Sequence, residues 1–249
     1  MMQKTSSLAA IDKGMAVLIS SSKRETVADV VHVMQGLDAL LPENDGLKWF
    51  NLMYLRTTEA VQAGPADGAW QSKKFLERLT VIFAGYYFSA ILDWQKDPKS
   101  LSRSWAPLFA VRTRENIFRV QFALAGMNAH INHDLSLALV KTCEEFAIVP
   151  MQGSKEHHDF RLVNTILQGI FETVKLFLST GIIGAMDEGL EMLDDNAALW
   201  SITKARDTAF VNAQVLWKLR DLSFLSDAFV RNLDRLVNLS SRGLLIACR

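Results

Sequence analysis

The sequence lacks a net charge, and this absence excludes a broad set of partners. It has 27 acidic and 27 basic side chains, so its formal charge at neutral pH is zero. A chain without a basic excess has no general electrostatic attraction for nucleic acid or for an anionic membrane. We therefore expect no nucleic-acid partner and no function at a membrane surface.

Cysteine is also scarce. The chain has 2 cysteines, Cys143 and Cys248, which lie far apart in the sequence and form no Cys-x-x-Cys pair. This spacing excludes a disulfide framework and a zinc ribbon. We expect Cys143 to be a buried, reduced thiol.

Long apolar runs are missing as well. The longest uncharged apolar stretch, Leu79–Leu92, is shorter than the roughly 20 residues that cross a bilayer. Near the N-terminus, Asp12 and Lys13 interrupt the apolar residues before the core of about 7–15 residues that a signal peptide needs. We expect no membrane span, no signal peptide and a cytoplasmic location.

Helix-breaking residues are few, with 5 prolines and 13 glycines. Helical periodicity dominates, and few segments alternate polar and apolar residues at period two. The chain is 49% apolar and 22% charged, which is enough apolar material for a sizeable core. These features predict an all-α fold, a single bundle-like domain over residues 1–249 with about eight helices.

Apolar spacing sets approximate helix boundaries. The predicted helices cover about 8–19, 27–41, 49–61, 74–95, 115–146, 157–178, 198–222 and 225–246. The fourth is apolar almost all round after Glu77 and Arg78, so we expect it to be the central helix of the bundle. We expect a short helix and a loop over residues 99–113. A short acidic piece, residues 187–195, leads to the seventh helix.

A dense polar cluster follows a long apolar run within the predicted helix 115–146. At 100° per residue, His130, His133 and Asp134 share one face of this helix. The preceding residues on that face include Ala123 and Gly126, which leave room for a ligand or another helix. Residues Asn128 and Asn132 point the other way, toward neighbouring helices.

A histidine and a carboxylate four residues apart can ligate one metal ion or exchange a proton. The candidates are thus His130 and Asp134, as ligands of a divalent metal or as an acid–base pair. An arginine on an apolar helix face needs an anionic partner. Arg206 is therefore a candidate for holding an anionic group, with Asp134 as an available partner.

A second polar cluster begins at His157 and His158. Asp159, and Asn164 about one turn later, could complete a site together with Asn128. The structural alternative is that His130 and Asp134 form a buried pair that fixes helix packing. In that alternative Asp159 only stabilises the N-terminal end of its helix.

Three common catalytic or nucleotide motifs are absent. The chain has no glycine-rich phosphate loop, no Gly-x-Ser-x-Gly elbow and no His-Glu-x-x-His. A standard nucleotide-binding loop and serine hydrolysis are therefore not expected.

The segment Gly-Met-Asn-Ala-His-Ile-Asn at 126–132 resembles the signature of the uncharacterised family DUF5995. Other blocks of the chain also resemble the family and occur in matching order, at 45–55 and 75–84 before this segment and at 158–164 and 200–217 after it. The resemblance implies an all-helical fold and no established activity. It matches at His130, Asp134, Asn128, Asp159, Asn164 and Arg206, whereas the family commonly has arginine where this chain has His133.

Two hypotheses follow for the function. The first is a metal-dependent hydrolase that uses His130 and Asp134, with Arg206 holding an anionic group. The second is a non-catalytic protein that binds a small molecule or a partner, in which the polar cluster is a buried structural network.

Overall fold

The computed structural model describes residues 2–65, 70–179 and 202–247, with the side chains of residues 8–65, 70–167 and 202–247. These parts of the chain form helices and no strand, which confirms the all-α prediction. The helices are α1 (Met2–Ser21), α2 (Val27–Leu40), α3 (Gly46–Ala63), α4 (Lys73–Lys96), α5 (Ala106–Val111), α6 (Arg119–Ala129), a π segment (His130–Asp134), α7 (Leu135–Glu145), α8 (Lys155–Ser179), α9 (Ile202–Leu219) and α10 (Ser223–Leu244).

Side-chain caps explain where two of the helices begin. The hydroxyl of Thr26 accepts the backbone N–H of Asp29 at 3.1 Å, and the Asp29 carboxylate accepts the N–H of Thr26 at 2.9 Å. This reciprocal capping box supplies acceptors for N–H groups that a helix start leaves unpaired. At the start of α3, Asp45 accepts the N–H of Leu47 at 3.0 Å.

The predicted helix 115–146 begins later than expected, at Arg119, and runs on to Glu145 through the π segment. Three other predictions lie outside the described residues: the acidic piece 187–195, the start of the helix at 198 and the environment of Cys248. Cys143 is buried, as predicted, and burial, with Glu156 and Glu144 nearby, raises the pKa of its thiol to about 12.

The continuous rod of α6, the π segment and α7 lies in the middle of the fold, against α3, α4, α9 and α10. Every residue from Val120 to Ala129 is buried. Gly126 is required here, because the ring of Phe50 from α3 occupies the position where a Cβ would stand. The room that the small residue leaves is therefore filled by a neighbouring helix.

Helix α4, predicted to be central, contributes ten buried residues to the core and packs against α1, α2, α7 and α8. It is the one helix among the described residues that is long and apolar enough to cross a membrane. Of its most apolar window, 56% is buried inside the protein. A core helix meets the same criteria, so this finding alone is weak evidence for a membrane span.

Candidate functional site

The π segment places the polar cluster on a distorted turn of the central rod. The N–H of Leu135 bonds the carbonyl of His130, five residues earlier, instead of the carbonyl four residues earlier. Single π turns inside α-helices are frequent at functional sites. The turn also keeps His130 and Asp134 side by side, with both side chains buried.

Asp134 accepts three hydrogen bonds from side chains. Its Oδ2 accepts from Trp105 Nε1 and from His130 Nδ1, both at 2.9 Å, and its Oδ1 accepts from His133 Nδ1 at 2.7 Å. Burial alone would raise the pKa of Asp134, but the two histidines outweigh it and hold this pKa below the ordinary value. Asp134 is therefore a buried carboxylate anion.

His130 is held in one tautomer by this carboxylate. An ionised carboxylate only accepts, so Nδ1 of His130 carries the hydrogen and Nε2 of the neutral ring carries a lone pair. Burial lowers the pKa of His130 more than Asp134 raises it, which favours the neutral ring. Within the described part of the chain, the buried Nε2 atom has no hydrogen-bond partner.

Aromatic rings surround the imidazole of His130. Phe83 stacks on it, with ring centroids 3.6 Å apart and planes inclined by 5°. Tyr54 meets it edge-on at 4.6 Å, and Phe50 and Trp105 lie at 5.8 Å. These rings fix the orientation of the imidazole and exclude bulk water from it.

His133 connects Asp134 to the last helix. Its Nδ1 bonds Asp134, and its Nε2 lies 3.8 Å from Oδ1 of Asp234 in α10. Burial lowers the pKa of His133, but the hydrogen bond to Asp134 and the charges of the two carboxylates outweigh burial. The net pKa of His133 is raised, opposite to that of His130.

A cavity lies beside His130. Its volume is about 60 Å³, counted as the space open to the centre of a water molecule. Most of its described lining is apolar, from α3, α4, the central rod and α8; the polar lining residues are Tyr54, Thr57, Thr58, Thr80, His130 and Arg206. The buried hydroxyl of Tyr54, like Nε2 of His130, has no partner among the described residues.

Arg206 contributes a charge to this cavity and is itself buried. Its Nε donates to Oδ1 of Asn164 at 2.5 Å, and one terminal nitrogen donates to the carbonyl of Phe160 at 2.9 Å. Burial lowers the pKa of Arg206 to about 9, and the nearby Asp207 and Tyr54 oppose that shift.

The guanidinium of Arg206 has no carboxylate within ion-pair distance among the residues whose side chains are described. The partnership with Asp134 suggested by the sequence is not present, because the partners of Asp134 are Trp105, His130 and His133. Arg206 is thus a buried cation whose described partners are all neutral.

Two predicted binding residues lie at other places in the fold. Asp159 is fully buried and accepts the backbone N–H groups of Gln71 at 2.9 Å and Ser72 at 2.6 Å, which tethers α8 to the start of α4. Asn128 donates to the carbonyl of Val237 at 3.1 Å and to the hydroxyl of Ser241 at 2.9 Å. The side chain of Asn128 thus points toward a neighbouring helix, as its angular position on the predicted helix indicated.

The predicted set therefore divides into two groups. His130 and Arg206 line one cavity, Asp134 orients His130, and Asn164 holds Arg206. Asp159 and Asn128 are absent from the described lining of that cavity.

Sequence reasoning missed Tyr54, Phe83 and Trp105 as site residues. All three are aromatic residues on apolar helix faces, so their pattern is that of ordinary core residues. The blocks at 45–55 and 75–84 that resemble the family contain Tyr54 and Phe83, and this resemblance was the available signal for those two residues; Trp105 lies in none of the blocks.

The described side chains give no support to the predicted metal site. They include no group of three or more His, Cys, Asp or Glu residues that could hold a metal ion. A catalytic metal commonly takes three protein ligands. Both oxygens of Asp134 already accept N–H donors, which disfavours Asp134 as a ligand.

Comparison with known proteins gives one match. The model of DUF5995, described as a family of unknown function, matches residues 27–247. No curated protein and no solved structure matches the chain.

Proposed function

The chain belongs to DUF5995, a family of unknown function, and we propose that it binds a small, largely apolar molecule with an acidic group in the cavity beside His130. The observation that carries this proposal is that three residues lining one mostly apolar cavity carry polar groups of this kind: two have a buried polar atom without a partner among the described residues, and the third is a buried cation. The atoms are Nε2 of His130 and the hydroxyl oxygen of Tyr54, and the cation is Arg206.

Unpartnered buried polar atoms destabilise a protein unless something in the cavity bonds them. Leaving one unsatisfied costs about 1–3 kcal/mol. Nε2 of His130 needs a hydrogen-bond donor, and the hydroxyl of Tyr54 can donate or accept. The carboxylate of a ligand can accept from the hydroxyl of Tyr54, but it has no hydrogen to donate to Nε2 of His130. A water molecule that enters with the ligand can donate to Nε2, so a hydrated polar end near these two residues removes both penalties.

Arg206 selects the charge of that polar end. A buried guanidinium with only neutral partners gains most from an anion, and guanidinium–carboxylate pairs are strong hydrogen-bonded contacts. Tyr54 and Arg206 are close enough to shift the pKa of each other. A carboxylate can therefore lie between the guanidinium and the hydroxyl, with the apolar part of the ligand against the remaining lining.

The size of the cavity limits the part of the ligand that it encloses. A water molecule needs roughly 10–15 Å³ on the same measure of volume. A cavity of about 60 Å³ thus holds a group of a few heavy atoms, such as the polar end and first carbons of an organic acid.

The test is isothermal titration calorimetry with butyrate, and with 1-butanol as the uncharged comparison. We expect wild-type protein to bind butyrate more tightly than butanol, and Arg206→Met to weaken butyrate binding about tenfold or more. The matched control is Arg220→Met, because Arg220 is exposed and directly follows the last residue of the same helix. Equal binding of butyrate and butanol, or of butyrate to wild type and Arg206→Met, would refute the proposal.

A second candidate is metal-independent general-base hydrolysis of small esters. The observation in its favour is the Asp134–His130 pair, in which the carboxylate orients the ring and leaves Nε2 able to take a proton from water. The test is turnover of p-nitrophenyl butyrate with and without a chelator. We expect turnover that the chelator does not reduce and that His130→Gln abolishes. Chelator-sensitive turnover would instead support the metal-dependent hypothesis.

A further inference from the structure

A larger cleft lies directly outside the cavity. Its volume is about 430 Å³ on the same measure, and it is bordered by the start of α2, the end of α3 and the first turns of α4. The cavity and the cleft share three lining residues, Val61, Leu76 and Thr80. The two spaces are therefore separated by one layer of side chains.

That layer is partly accessible from outside. Val61 and Thr80 are half-buried, and so are Thr57 and Phe83 on the cavity side. Leu76, by contrast, is buried, at 6% exposure. The cavity is thus closest to solvent along the α3–α4 seam, where the cleft begins.

The cleft offers apolar walls with charges at its rim. Val27, Trp70 and Val81 provide apolar lining. The exposed ends of Lys73 and Lys74 stand beside them. The other charged lining residues are all paired: Glu77 lies 3.8 Å from Lys73, Arg78 lies 2.5 Å from Glu145, and Glu25 lies 2.9 Å from Lys23.

We propose that the cavity and the cleft form one channel for a medium-chain carboxylic acid, with the carboxylate at Arg206 and the alkyl chain passing Val61 and Thr80 into the cleft. This inference rests on the proposed function and extends it to a substrate class. The cavity alone is too small for such a chain, and the cleft supplies the apolar surface that the chain needs.

The position of the charges sets the orientation. Lys73 and Lys74 are exposed to water. A carboxylate that binds beside them must give up its own strong hydration, so the net gain in free energy is small. Arg206 is already removed from water by burial, so an anion beside it gains more. The carboxylate is therefore the inner end of the ligand and the methyl group the outer end.

The test is the dependence of affinity on chain length, measured by calorimetry with linear saturated acids of 4, 6, 8 and 10 carbons below their micellar concentrations. Each CH₂ group that leaves water increases affinity by about fourfold. We expect this increase to continue from butyrate to decanoate. An affinity that is flat beyond butyrate, with butyrate still bound, overturns the channel and leaves the proposed function intact.

A blocking variant tests the route. Val61→Trp fills the shared wall, so we expect it to weaken decanoate binding at least tenfold and butyrate binding by a smaller factor. The matched control is Val17→Trp, at a valine that is 58% exposed on α1. If Val61→Trp does not fold, Thr80→Tyr blocks the same wall from α4. Decanoate binding at wild-type strength in a folded blocking variant overturns the channel, and failure of every acid to bind wild type refutes the proposed function itself.

Discussion

Asp134 and Asp159 are two buried carboxylates that each accept three N–H groups, yet they have different surroundings. The donors to Asp159 are two backbone N–H groups and the exposed His158. The donors to Asp134 are three buried side chains, and one of them, His130, has a second polar atom without a partner in the part of the chain that the structure describes. The number of hydrogen bonds therefore does not identify a functional site. An unsatisfied atom beside a cavity distinguishes the two clusters.

The largest effect is expected for Asp134→Ala. This change leaves the N–H groups of Trp105, His130 and His133 without an acceptor in the core, so the free energy of unfolding should fall by about 3–5 kcal/mol. Urea denaturation followed by circular dichroism measures it. A loss below about 1 kcal/mol would show that the cluster around Asp134 relaxes or that water replaces the carboxylate.

A smaller effect is expected for Asp159→Ala. Two backbone N–H groups at the start of α4 lose their acceptor, which costs about 1–3 kcal/mol of stability. Butyrate binding should be unchanged, because Asp159 serves the α4–α8 contact. The control is Asp221→Ala at an exposed carboxylate, expected within about 0.5 kcal/mol of wild type. If a folded Asp159→Ala protein no longer bound butyrate, Asp159 would belong to the binding site, and the distinction drawn between Asp134 and Asp159 would be wrong.

The pH dependence of stability should separate His133 from His130. The pKa of His133 is raised in the folded protein, so its stabilising contribution is complete below its ordinary pKa of 6.5 and is lost as pH rises through the folded pKa. The stability difference between wild type and His133→Gln should therefore shrink as pH rises above 6.5.

The lowered pKa of His130 acts in the opposite direction, since its contribution is present above pH 6.5 and is lost as pH falls. His130 is present in both proteins, so its contribution largely cancels from their difference. Urea denaturation between pH 5.5 and 9 measures that difference. If the stability difference between wild type and His133→Gln instead widened as pH rises, His133 would be neutral in the folded protein.

The smallest effect is expected for Tyr54→Phe. Its hydroxyl has no partner among the described residues, so the ligand-free protein should keep its stability or gain up to about 1 kcal/mol. The matched variant is Tyr87→Phe, whose hydroxyl donates to Asn51 at 3.3 Å and should lose about 0.5–1.5 kcal/mol. Denaturation of both variants in the same buffer compares them directly. Equal losses would mean that water or another group satisfies Tyr54.

The helices could be predicted because apolar spacing encodes which face each helix buries. The sequence also indicated that His130, His133 and Asp134 share a face and that Asn128 points elsewhere. The π turn could not be predicted, because a bond between residues five apart leaves no distinct mark in apolar spacing.

The partners of the cluster were beyond sequence reasoning for a different reason. Gly126 predicted free space, but only the packed fold shows that Phe50 fills it. Likewise, Trp105 lies 29 residues before Asp134, and nothing in its local pattern marks its ring as a hydrogen-bond donor to that carboxylate. Arg206 was recognised as a buried cation, but the choice of Asn164 over Asp134 depends on how α8 and α9 meet.

The π turn also separates the polar cluster from the packing of α7. It contains one residue more than the α-helical turn that it replaces. Removing one residue from 130–134 would therefore let the turn close as a regular α-helical turn, and Leu135, Leu139 and Cys143 would keep their buried faces. At this point in the sequence the polar cluster depends on the additional residue, whereas the core formed by α7 does not.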